Sequence, residues 1–75
     1  MSFQAYLDNI RRKTGKGPDD FKALAEAMGF TEGGRLKPAT KAGQVVAWLA
    51  ADFGLGHGYA MAIYALLKAR KSPGD

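Results

Sequence analysis

His57 is the only histidine of the chain, and it lies inside Gly54-Leu55-Gly56-His57-Gly58. An imidazole can hold a metal, move a proton or contact an anion, so its neighbours decide which chemistry is open. The chain has no cysteine, and zinc asks for three or four protein ligands. Asp52 is the nearest carboxylate in sequence and no acidic cluster joins it, so neither a metal nor another cofactor is expected. General-base work would need a positioned nucleophile and an orienting group. Tyr59, Tyr64 and Thr40 are candidates, yet no spacing ties them to His57. Elsewhere, Gly15-Lys16-Gly17 lacks the upstream glycine and strand of a phosphate-binding loop. No nucleophile elbow or zincin helix is present. The chain is therefore not expected to be an enzyme. His57 reads either as a helix-start residue bonded to backbone or solvent, or as an anion contact beside the glycines.

The cations offer a different chemistry. Eleven basic residues against seven acidic ones give a net charge of +4 and a pI near 9.6. That balance favours acidic partners such as nucleic acid, phosphate ligands or a membrane surface. The cations fall in three clusters: Arg11, Arg12, Lys13 and Lys16; then Arg35, Lys37 and Lys41; then Lys68, Arg70 and Lys71. Whether they merge or disperse is open at this level. No apolar run approaches the ~20 residues of a membrane span, and no basic segment precedes an apolar stretch at the start. A cytoplasmic protein with no membrane partner is expected.

Glycines and prolines divide the 75 residues into four segments with helical apolar spacing. The first helix is expected over residues 3–14, with Ser2 as N-cap and Gly15 just past its end. Asp8 and Arg12 have the spacing of a surface pair. The second is expected over 18–28, opened by Pro18 and stopped by Gly29. Residues 30–39 read as a basic, glycine-rich loop and the most mobile segment, which Phe30 and Leu36 would pin to the core. The third helix is expected over 41–53 with Thr40 as N-cap. Ala42, Val45, Val46, Leu49 and Phe53 share its apolar face, and Trp48 sits about 120° from the centre of that stripe at 100° per residue. The fourth is expected over 58–70, with Tyr59, Ala62, Ile63, Leu66 and Leu67 on its main face. Met61, Tyr64, Ala65 and Lys68 form a second line along it. The tail, residues 72–75, is expected to fray.

Two resemblances follow from particular blocks. The opening run from Ser2 to Ile10, Lys13-Thr14-Gly15-Lys16, the run from Lys41 to Leu49, and Asp52-Phe53-Gly54-Leu55-Gly56-His57-Gly58 resemble the DUF4287 family of small bacterial domains of unknown function. The likeness covers nearly the whole chain and implies an autonomous bacterial domain, with no activity attached. Many members of that family carry a second histidine where this chain has Tyr59. The run from Gly54 to Ile63 is also similar to the turn of a helix-hairpin-helix DNA-binding motif. Such a turn lets backbone N–H groups open a helix on which a phosphate can sit. Phe53 stands where that motif has proline, and His57-Gly58 replaces its usual basic residue.

The expected fold is all-α: four short helices in one domain, residues 1–71, with the last two as a tight hairpin. Phe3, Leu7, Ile10, Phe21, Leu24, Met28, Val45, Val46, Leu49, Phe53, Leu55, Ile63 and Leu66 are expected in the core. The expected function is non-enzymatic contact with nucleic-acid phosphates through Gly54, Gly56, His57 and Gly58 together with Arg35, Lys37 and Lys41. The alternative is docking of another protein or a second copy through Trp48, Met61 and Tyr64.

Overall fold

The computed structural model describes residues 2–68 and 74. Four helices and a short antiparallel hairpin follow one another: α1 (Phe3–Thr14), α2 (Pro18–Ala27), β1 (Thr31–Glu32), β2 (Arg35–Leu36), α3 (Ala42–Phe53) and α4 (His57–Leu67). The exposed surface of 4454 Å² is what a compact chain of this mass presents. The fold is mostly helical as expected, with the hairpin as the addition.

Local chemistry sets the helix ends. Ser2 caps α1, its Oγ accepting from the Ala5 N–H at 3.2 Å, and Gly15 closes it in the left-handed region at φ 75°. On the surface of α1 the expected Asp8–Arg12 pair gives way to shorter reaches: Gln4 donates to Asp8, and Arg12 to Asn9, both at 2.9 Å. In α2 the Asp20 carboxylate accepts from the Gly17 N–H at 2.8 Å. Gly29, at φ 82°, ends α2 in a Schellman turn in which the Phe30 N–H reaches the Ala25 carbonyl at 3.0 Å. That turn swings Phe30 back towards the core and stops α2 before Met28, which is half exposed rather than buried.

The expected loop is instead a hairpin, with Thr31 opposite Leu36 and Glu32 opposite Arg35. Gly33 and Gly34 both have positive φ, 62° and 81°, the conformation a two-residue hairpin turn requires. Phe30 and Leu36 do pack on the core. Thr40 is not the cap of α3. Its hydroxyl donates to the Phe30 carbonyl at 3.1 Å, tying down the far end of the hairpin segment. Lys41 takes the cap position, and its N–H is satisfied by the Gln44 side chain at 2.7 Å.

One core joins all four helices, built on Phe3, Leu7, Ile10, Phe21, Val45, Leu49, Ile63, Leu66 and Leu67. Leu24, Val46 and Phe53 only border it. Ala25, Ala60 and Ala62 are buried as well, small residues that let helices approach closely. Trp48 is also in the core, 7% exposed. The segment entering the hairpin covers it from a second side: Phe30 meets the indole edge-on at 5.5 Å, and Phe53, further along α3, meets it edge-on at 5.8 Å. Helices α3 and α4 share the most extensive packing in the domain.

Candidate functional site

The hairpin, the segment leading into α3 and the last turn of α4 surround a groove of about 560 Å³. Arg35, Lys37, Lys41 and Lys68 line it, with Tyr64 on one wall and Leu36, Pro38 and Leu67 contributing apolar surface. Among the described residues no acidic side chain lines it. Glu32 faces Arg35 across the hairpin and borders an adjoining hollow that shares Arg35, Leu36, Lys37 and Pro38 with the groove. Lys68 Nζ stands 5.3 Å from the centroid of the Tyr64 ring, close enough for a cation–π contact. The second basic cluster and the first member of the third therefore converge. Arg70 and Lys71 lie outside the described residues.

The glycine turn is elsewhere. Lys41 and Ala42 at the start of α3, and Leu67 and Lys68 at the end of α4, border the groove. Gly54, Leu55 and Gly56 connect the opposite ends of the same two helices. Ten residues of α4 separate them, about 15 Å at 1.5 Å per residue. So Gly54, Gly56, His57 and Gly58, which the sequence reading groups with Arg35, Lys37 and Lys41, do not line the groove that those cations share. The antiparallel course of α3 and α4 sends them to opposite ends.

The turn itself is built as a helix corner. Gly54 has φ 65°, and its N–H closes α3 on the Ala50 carbonyl at 3.1 Å. Leu55 is driven into the core at 3% exposure. Gly56 caps α4 without a side-chain hydrogen bond, so α4 opens at His57, one residue earlier than the spacing predicts. Gly54, Gly56, His57 and Gly58 are all exposed. The cation beside this corner comes from the first basic cluster: Lys13 Nζ lies 5.7 Å from the Tyr59 ring centroid. Tyr6 meets the same ring edge-on at 5.7 Å. Lys13 was not among the expected contacts. The signal was present, because Tyr6 and Lys13 are seven residues apart and share a line on α1.

One surface connects the two ends. His57, Met61, Tyr64 and Lys68 occupy positions i, i+4, i+7 and i+11, which share one side of α4. His57, Met61 and Lys68 are exposed and Tyr64 is half-buried. This seam leaves the glycine corner and enters the basic groove. Met61 and Tyr64 thus stay on the surface. Trp48 does not join them, since its indole is enclosed by Phe30 and Phe53 and cannot anchor an interface.

The sequence profile of the domain of unknown function DUF4287 matches residues 2–69. The chain belongs to this family. No curated protein and no solved structure matches it. The part matching DUF4287 holds all four helices and the hairpin, so the groove, seam and corner of this chain all lie within the matched residues. Among its described residues no group of three or more His, Cys, Asp or Glu could hold a metal. No helix among them is long and apolar enough to cross a membrane.

Proposed function

We propose that this DUF4287 domain is a non-enzymatic module that binds nucleic-acid phosphates in its basic groove. The observation that carries the reading is the meeting of Arg35, Lys37, Lys41 and Lys68 around one concavity that no carboxylate among the described residues lines. Like charges brought together repel unless a counter-charge is present, so such a concavity favours an anion. A polyanionic backbone releases condensed counterions when several cations bind it, and this makes affinity strongly salt-dependent. Arg35 adds a planar fork suited to a phosphate, whereas the lysines act as point charges. The glycine corner and Lys13 supply a second, weaker contact further along α4.

The test is fluorescence anisotropy with labelled single-stranded and duplex oligonucleotides across a salt series. Binding that weakens steeply as salt rises is expected. Absence of binding to either form at low salt overturns the reading.

A second reading uses the same seam to dock another protein or a second copy. It is favoured by the exposure of Met61, 36%, beside Tyr64. Light scattering over a range of concentrations tests self-association. A mass that stays at one chain removes that version.

A further inference from the structure

We infer that the preferred nucleic acid is a single strand, whose bases lie on the Tyr64 and Met61 part of the α4 seam while its phosphates occupy the groove. This rests on the phosphate-binding reading and adds a ligand class to it.

The argument starts from what phosphate contact alone leaves unexplained. Cations suffice to hold a backbone of either form. Yet the groove wall also contains Tyr64, and the adjoining position on the seam is Met61, an exposed large apolar side chain. Apolar and aromatic surface gains nothing from a duplex backbone, because paired bases hide their faces in the stack. A single strand offers those faces, and base–aromatic stacking tolerates any sequence. Sulfur and ring surfaces together suit a base that binds without being read.

The geometry joins the two contacts. Tyr64 and Lys68 are one helical turn apart and both border the groove. Lys68 Nζ now covers the ring at 5.3 Å. Lys68 is exposed, so its long side chain is free to turn towards a phosphate in the groove. That movement uncovers the ring for a base. The seam extends about 16 Å from Lys68 to His57 at 1.5 Å per residue, long enough for a strand to run on towards the glycine corner.

The experiment compares three labelled probes of equal length on the intact chain at one low salt concentration: a single strand, its duplex and an abasic single strand with the same phosphates. The base-bearing strand is expected to bind on the order of tenfold tighter than the abasic one. Tyr64→Ala should remove most of that difference and Tyr64→Phe should keep it, with circular dichroism melts confirming that each variant is folded. Equal binding of all three probes to the unaltered protein overturns the single-strand inference and leaves phosphate binding intact. Tighter binding to the duplex does the same. Failure of every probe to bind overturns the phosphate reading itself. The comparison of base-bearing with abasic strand needs no variant, so it decides the matter even if Tyr64→Ala unfolds.

Discussion

The rings of Phe30 and Trp48 meet edge to face, with 5.5 Å between centroids and 65° between planes. This contact ties the hairpin to α3. The Phe30 carbonyl in turn accepts from the Lys37 N–H at 3.0 Å and from the Thr40 hydroxyl at 3.1 Å. The backbone that carries Lys37, and leads to Lys41, therefore hangs from a residue that Trp48 holds in place. An aromatic that the sequence offers as an interface anchor is a support for the groove instead.

Truncating Trp48 should accordingly harm folding before it harms binding. Trp48→Ala leaves a large cavity and is expected to cost about 3–5 kcal/mol, most of the stability of a small domain. Urea denaturation followed by circular dichroism measures the loss. A variant as stable as the parent would mean that the indole is not a core residue.

The two glycines of the corner should respond in opposite directions. Gly54 has φ 65°, where an L-residue is strained by roughly 1–2 kcal/mol. Gly54→Ala should lower the melting temperature by about 4–8 °C for each kcal/mol lost, and Gly54→Asn by less. Gly56 has extended φ and ψ and lacks a side-chain cap, with open space where a Cβ would stand. Gly56→Ser gives α4 a hydroxyl cap and a less flexible unfolded chain, so a gain of about 0.5–1 kcal/mol is expected. Thermal melts of the pair decide the point.

Thr31 is 3% exposed, and its Oγ1 is buried with no hydrogen-bond partner among the described residues. An unmade hydrogen bond of this kind costs about 1–3 kcal/mol. Thr31→Val keeps the shape and β-branching of the side chain while removing the hydroxyl. The variant should be more stable by about 1 kcal/mol in chemical denaturation. A loss of stability would show that the hydroxyl has a partner in solution.

The groove predicts how salt should act on each cation. Replacing Arg35 or Lys41 with Gln should weaken binding to all sequences alike. Each replacement should also flatten the dependence of log affinity on log salt by about 0.7–0.9. Lys22 is on the exposed surface of α2 and does not line the groove, so Lys22→Gln is the comparison. An equal effect from Lys22→Gln would mean that net charge, not the groove, attracts the ligand.

What could be read before folding was whatever is settled within a few neighbouring residues. The span of α1 is legible because Ser2 supplies a cap oxygen and Gly15 can enter the left-handed region; both are local facts. The same holds for Pro18 opening α2, Gly54 closing α3 and Leu55 turning inward. The blocks of residues shared with the DUF4287 family were legible for the same reason, since they lie in the order of the chain. The hairpin was not, because strands of two residues have no period to detect. The place of Trp48 was not either: it lies off the apolar stripe of its own helix and is buried by Phe30, eighteen positions away. The groove collects Arg35 and Lys41 with Tyr64 and Lys68, and the same folding moves the glycine corner to the far end of α4. Caps and turns depend on bonds between near neighbours, whereas coverage of a side chain and convergence of charges depend on how whole helices pack, which only the tertiary structure decides.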